Sequence, residues 1–376
     1  MKFVLAPDKF KGSLTGLEFC NAVAKGLLKV IPDAEVVFLP LADGGDGTIE
    51  VANYYLNGDL IQLEVKNPLF QNGLAIYLYA SDSKIAFIEM AEASGLKLLD
   101  PTEYDCKNAT TFGTGQLILD AINRGAKEII LGIGGSATND CGIGMAMAMG
   151  YQFLDHNGNQ VVPVGRHLSE IIRIDDSQVN KNLKNVTFKI ACDVTNPLYG
   201  KNGAAYVYAQ QKGASEKDIE LLDKGLEDFS KVLDAKFKIN SQAVLGGGAA
   251  GGMGIASKVF LKGELISGIT LMKELSQFDE KIKNADWIIT GEGKLDEQTL
   301  SGKTIHGIIE VAKQNGIKVA AFCGKVDLDK EQLNMFGISY TDAVLNLTKD
   351  IDHAMLNSAG YVTKMAERFA EKLAGK

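Results

Sequence analysis

The chain has 376 residues, of which 46% are hydrophobic and 23% charged, and a net charge of −8. That length predicts two domains rather than one core, with the balance of a soluble globular protein. The acidic balance argues against nucleic acid as a partner, no charge-free apolar run reaches the roughly 18 residues of a membrane span, and no signal peptide is legible, so a cytoplasmic protein is expected.

Phe3–Ala6 reads as a short buried strand. Leu14–Val30 carries apolar residues at helical spacing, with Ser13 as its candidate N-cap and Pro32 beyond its end. Strand Glu35–Leu39 and helix Thr48–Leu56 complete a strand–helix–strand–helix opening, the rhythm of a parallel sheet. Three consecutive strands follow, Asp59–Val65, Leu74–Ala80 and Lys84–Met90, a meander that predicts a second, mixed sheet. Helix Gly115–Asn123, strand Glu128–Leu131, strand Phe188–Cys192 and the long amphipathic helix Ser215–Leu233 come next. After Ala285 the first rhythm returns with strand Trp287–Thr290, helix Lys303–Gln314, strands Val319–Cys323 and Ala343–Leu345, and helix Ala354–Lys372. The expectation is α/β: two dissimilar three-layer α/β domains with an interdomain cleft. Residues 1–62 plus 286–376 would form a Rossmann-like parallel sheet, and 63–285 an inserted mixed sheet.

Three apolar runs each end in a loop of glycines, carboxylates and hydroxyls: Asp43–Thr48, Gly132–Asp140 and Thr290–Asp296. Loops at the carboxyl ends of strands are where open α/β sheets bind ligands. Glycine lets backbone N–H groups close on phosphate oxygens, and carboxylates beside them suit Mg²⁺ or an acceptor hydroxyl. Five cysteines without a CxxC pair fit free thiols in a reducing compartment.

Several familiar motifs fail. Gly132-Ile133-Gly134-Gly135-Ser136-Ala137 satisfies a dinucleotide fingerprint, but the acid expected downstream, Asp155, sits in a hairpin turn, Asp155–Gly158. Gly302-Lys303-Thr304 resembles the end of a P-loop, yet Glu297 stands where its first glycine belongs. Gly135–Thr138 lacks the last glycine of a nucleophile elbow, and the four histidines have no metal or triad spacing. Carboxylate, lysine and hydroxyl groups must therefore carry any chemistry.

Five constellations remain. Asp8, Lys11 and Ser13 follow the first strand. Asp43 and Asp46, with Gly44 and Gly45, can share a metal or a hydroxylated substrate, or cap the next helix. Thr110–Gly115, including Gly113 and Thr114, opens a helix and can hold an anion or serve as a plain cap. Asp193 ends a strand beside Thr195 and Asn196, and Lys212 could neutralise phosphate. Gly246–Gly254, with Gly247, Gly248 and Gly251, lets a ligand or another backbone come very close.

Read in order, these segments resemble the bacterial-type glycerate kinase family. The resemblance is carried by Phe10–Leu14, Pro40–Gly45, Glu89–Leu96, Phe112–Gly115, Gly132–Asp140, Cys192–Leu198, Gln211–Ala214, Gly246–Gly252 and Thr290–Thr299. It implies an ATP- and Mg²⁺-dependent kinase that phosphorylates D-glycerate, most readily to 2-phosphoglycerate, without a P-loop. It implies that Gly113, Thr114, Gly134, Gly135, Ser136, Lys212, Gly247, Gly248 and Gly251 hold the nucleotide phosphates. Asp8, Ser13, Gly44, Gly45, Ser94, Asn196, Glu292 and Asp296 would bind substrate, and Asp193 and Asp296 the metal. Asp193, Asp43 and Lys11 would be catalytic. The partners implied are D-glycerate and ATP, with neither nucleic acid nor membrane, and a homo-oligomer is left open. The rivals from other classes are a nicotinamide-dependent oxidoreductase built on Gly132–Ala137 and a non-catalytic metabolite-binding protein.

Overall fold

The structure is a computed structural model and describes residues 1–8, 10, 12–42, 48–296 and 303–375, with the backbone alone for 303 and 304. Its strands begin with β1 (Lys2–Leu5), β2 (Glu35–Phe38), β3 (Asp59–Lys66), β4 (Asn72–Ala80), β5 (Ile85–Glu89), β6 (Glu128–Gly132), β7 (Gln152–Leu154) and β8 (Arg173–Asp175). They continue with β9 (Thr187–Ala191), β10 (Glu264–Ile266), β11 (Trp287–Thr290), β12 (Lys294–Leu295), β13 (Lys318–Cys323), β14 (Lys325–Val326) and β15 (Ile338–Ala343). The chain divides into two compact units: Met1–Asp43, Glu50–Tyr55 and Ile269–Lys376 form one, Gly44–Ile49 and Leu56–Gly268 the other.

In the first unit five strands run parallel in the order β15-β13-β11-β1-β2. Counted within the unit this is the 2-1-3-4-5 order of a doubly wound sheet, with its switch point between β1 and β11. The central strands are apolar along their length because helices cover both faces of such sheets. Phe3, Phe19, Phe322 and Phe369 are fully or nearly fully buried, each worth about 1.5–3 kcal/mol relative to exposure. Phe369 meets Trp287 edge-on at 4.9 Å. Helix Gly16–Val30 starts two residues later than Ser13 would place it. Thr15 is its N-cap, in a capping box with Glu18, while the Ser13 hydroxyl is hydrogen-bonded to that of Ser358.

In the second unit the order is β10-β9-β6-β5-β4-β3, parallel from β10 to β5 and antiparallel from β5 to β3. The mixed sheet arises from the meander, whose hairpin pairs Ala80 with Ile85. Helix Glu216–Phe237 is capped by Ser215 and buries Leu222, Leu226, Phe229 and Leu233, one apolar stripe at helical spacing.

Some elements differ from expectation. The final strand is Ile338–Ala343, and Val344 and Leu345, expected to continue a strand from Ala343, belong instead to a 3-10 turn, Val344–Asn346. Ser339, Tyr340 and Thr341 are polar or only part-buried and belong to an edge strand, which leaves no alternating apolar signal. Helix Ala249–Phe260 starts inside the glycine stretch, and β7, β8 and β10 are only three residues long, too short to leave a periodic signal.

Candidate active site

The parallel strands of the second unit end in register: Glu89 pairs with Gly132, Gly132 with Ala191, and Ala191 with Ile266. The segments leaving that edge are therefore brought together by the sheet itself. Among them is the turn after β6, where Gly134 and Gly135 are exposed and Ser136 is buried. Gly135 has φ +71°, open to glycine at little cost. Leu96 N–H donates to Gly135 O at 3.0 Å and Ala137 N–H to Ser94 O at 2.9 Å, pinning both sides of the turn. The N–H groups of Gly134 and Gly135 have no acceptor among the described residues. Successive unengaged N–H groups of this kind form an anion-binding concavity.

Lys212, expected against phosphate, lies beneath this turn and is 3% exposed. Its ammonium donates to Ser136 Oγ at 2.6 Å and to Thr138 O at 2.9 Å. Burial pulls its pKa down to about 8. The next residue, Gly213, has φ +89°, and a Cβ there would sit 1.9 Å from Tyr104 O, so no side chain fits the turn that delivers Lys212.

The anion expected at the start of helix Phe112–Asn123 is part of the protein. Asp140 is fully buried and accepts from Thr111 N at 2.8 Å, Thr111 Oγ1 at 2.8 Å, Gly142 N at 3.1 Å and Gly144 N at 3.3 Å. Burial raises its pKa to about 6 against the pull of those donors. Thr114 and Ser94 are fully buried, with their hydroxyls hydrogen-bonded to each other at 2.8 Å. A Cβ on Gly113 would come within 1.9 Å of Lys66 O. Gly113, Thr114 and Ser94 thus serve close packing here.

The glycines of 246–254 realise the second of their two readings, close approach of another backbone. A Cβ at Gly248 would lie 2.1 Å from Pro197 O, and one at Gly251 would lie 2.2 Å from Thr138 O. Gly247 is less tight, its nearest neighbour being Val244 O at 3.0 Å. Cys141 N–H donates to Gly251 O at 2.9 Å, so this stretch is the floor under the Gly132–Asp140 loop.

Asp193 stands two residues beyond β9, half-buried, and its Oδ1 accepts from Gly268 N at 3.2 Å, tying the ends of β9 and β10. Asn196 has both ends of its amide engaged, donating to Asn202 O at 2.9 Å and accepting from Tyr208 OH at 2.6 Å. Glu89 was not among the expected site residues. It ends β5 in the same row, is 8% exposed, and accepts from Ile49 N at 3.1 Å. Its signal was a carboxylate closing an otherwise apolar strand.

The first unit has a carboxyl edge of its own. Asp8 follows β1, and its N–H donates to Gly291 O at 3.0 Å. Glu292 follows β11, and its carbonyl accepts from Gly324 N at 3.1 Å. Asp296 is ion-paired with Lys294 at 2.8 Å. Asp8 and Glu292 thus flank the switch point, where doubly wound sheets bind ligands. Lys11, Asp43, Gly44 and Gly45 lie outside the described residues. Among the described residues no group of three or more His, Cys, Asp or Glu side chains gathers to hold a metal. Mg²⁺ is commonly held by one or two carboxylates plus substrate phosphates, so single carboxylates such as Asp193 and Asp296 fit its donor chemistry.

One unit built on a doubly wound parallel sheet and another on a mixed sheet, the latter with a glycine turn over a buried ammonium, define a two-unit α/β protein. The chain belongs to the glycerate kinase family, whose model matches residues 3–374. It is 41% identical to a glycerate kinase of Halalkalibacterium halodurans, over 98% of this chain and 97% of that one. It is 40% identical to a glycerate 2-kinase of Escherichia coli K12, over 100% of this chain and 98% of that one. A solved structure described as glycerate kinase 2 from Salmonella typhimurium LT2 superposes with TM-score 0.90 at 37% identity, covering 100% of this chain and 98% of that one. The protein is a kinase enzyme, as the resemblance implied, and the oxidoreductase and non-catalytic alternatives fall away.

Proposed function

We propose that this protein transfers the γ-phosphoryl group of ATP to D-glycerate with Mg²⁺, giving 2-phosphoglycerate. The observation that carries the reading is full-length kinship at 40% identity with an enzyme named glycerate 2-kinase. The second unit's sheet edge agrees with it.

Phosphoryl transfer asks the protein for positioning and charge neutralisation more than covalent chemistry. The N–H groups of Gly134 and Gly135, beside Ser136, donate to phosphate oxygens of the nucleotide. Asp193 accepts the proton of the substrate hydroxyl as that oxygen attacks phosphorus, and its tie to Gly268 N holds the carboxylate in place. Asp193 and Asp296 are the carboxylates that would hold Mg²⁺, which when bound draws negative charge from the phosphates. Lys11 and Asp43 keep the roles the resemblance implies, offsetting charge and supplying a further carboxylate. Asp8, Ser13, Gly44, Gly45, Asn196 and Glu292 remain the substrate-binding set.

The reaction takes place in the cytoplasm in this reading. Five cysteines, none of them in a disulfide, suit a reducing compartment, and no helix among the described residues is long and apolar enough to cross a membrane. ADP release with D-glycerate, ATP and Mg²⁺ tests the reaction, and ³¹P NMR of the product tests the position. Absence of glycerate-dependent ADP release would sink the reading, and a 3-phosphate would correct the product.

A further inference from the structure

Among the described residues, Lys212 is a cation in the interior without an ion-pair partner. It is 3% exposed, and its hydrogen-bond partners among those residues are the neutral oxygens of Ser136 and Thr138, at 2.6 and 2.9 Å. An ammonium has three N–H donors and no acceptor. One donor therefore remains unengaged among the described residues, and the Ser136 oxygen must be the acceptor in its contact with Lys212. The Ser136 hydroxyl proton then has no acceptor among the described residues. It belongs to the same turn whose exposed glycines carry N–H groups without acceptors. Burying an unpaired charge costs free energy, and an isosteric apolar residue would pack there more cheaply.

We propose that Lys212 is the positioning residue of the phosphate site: from beneath the Gly134–Gly135 turn its ammonium makes the Ser136 hydroxyl a donor toward the nucleotide phosphates and supplies their counter-charge, without touching the ligand. This rests on the kinase reading above for the identity of the anion. The titratable groups that face Lys212 are Asp140 and the Cys106 thiol. Cys106, raised to about 11 by burial, stays protonated in the range that matters, and Asp140, raised to about 6, stays ionised.

A consequence is a proton coupled to nucleotide binding. A bound polyphosphate favours the ammonium form, so binding takes up a proton where free Lys212 is partly neutral, around pH 8 and above. MgATP affinity should fall as pH rises from 7 to 9.

The experiment is calorimetric titration of the full-length protein with MgATP, at pH 7 and 9, in two buffers of different protonation enthalpy. It is run on the wild type, Lys212→Met, Ser136→Ala and the double variant. Lys212→Met should melt no lower than the wild type in the absence of nucleotide, because it removes an unpaired buried charge. It should nevertheless bind MgATP about 10- to 100-fold more weakly at pH 7, with the pH 7-to-9 change and the proton uptake gone. Ser136→Ala should weaken binding about tenfold, and the double variant should lose less than the two single losses combined. Wild-type MgATP affinity and pH response in Lys212→Met would overturn the proposal. So would a lowered melting temperature with unchanged affinity, the signature of a purely structural lysine. If Lys212→Met does not fold, an unchanged affinity in Ser136→Ala overturns it instead. A wild type that binds MgATP but releases no ADP with D-glycerate would sink the named reaction while leaving this titration decisive for Lys212.

Discussion

Asp193 and Asp140 are both aspartates near strand ends, and their surroundings separate them. Asp193 is half-buried at the carboxyl edge of β9, tied to Gly268 N by one oxygen. As the base, its replacement by Asn should lower kcat by about 10²-fold or more while the variant stays folded, and near-normal turnover would remove it from that role. Asp140 is fully buried among four donors and acts as the internal anion of a helix N-terminus. Its folded pKa, about 6, lies above the ordinary value of 3.8. The folded state therefore binds the proton more tightly between those values. The stability Asp140 contributes is present below about pH 4 and is lost as pH rises through about 6. Chemical denaturation from pH 4 to 7 should show the wild type losing on the order of 1–3 kcal/mol relative to Asp140→Asn. No relative change would mean that its donors hold the carboxylate ionised throughout. At this scale the sequence disclosed residue types but not their partners. Thr114, Ser94 and Lys212 read as ligand groups because the partners they bond lie far away in the chain: Ser94 and Thr114 bond each other, and Lys212 bonds Ser136 and Thr138.

The elements legible in advance were those with strong periodicity or long buried runs. Helices Gly16–Val30 and Glu216–Phe237 and strands β1, β6, β11 and β13 formed where their patterns placed them, within a few residues. The meander was readable because its strands are long and separated by turn residues. Short β7, β8 and β10, and the edge strand β15, escaped because strand pairing rather than local pattern makes them strands. Close packing between helices was equally silent. Helix Gly16–Val30 lies against Ser358–Leu373, and a Cβ at Gly26 would stand 2.4 Å from Thr363 O. Gly26→Ala should therefore cost about 1–3 kcal/mol in urea unfolding, against the gain that Ala normally brings to a helix interior. A stabilised variant would show that the two helices separate easily.

For the molecule as a whole, class and family are legible in the sequence, and the reason is chemical. Phosphoryl transfer needs glycine-rich backbone, carboxylates and cations at strand ends, and their order along the chain survives as a readable series. The sequence alone determined a two-sheet α/β architecture, the absence of a P-loop, and membership of a kinase family. Tertiary structure decided which of those glycines and charges face outward. Gly134 and Gly135 are left exposed, Gly248 and Gly251 are closed on other backbone, Asp140 is turned inward as a cap, and Lys212 is drawn under Ser136. Local composition carries the capacity to bind phosphate, but burial and hydrogen-bond partners come from residues far apart in sequence, and only the folded chain brings those together.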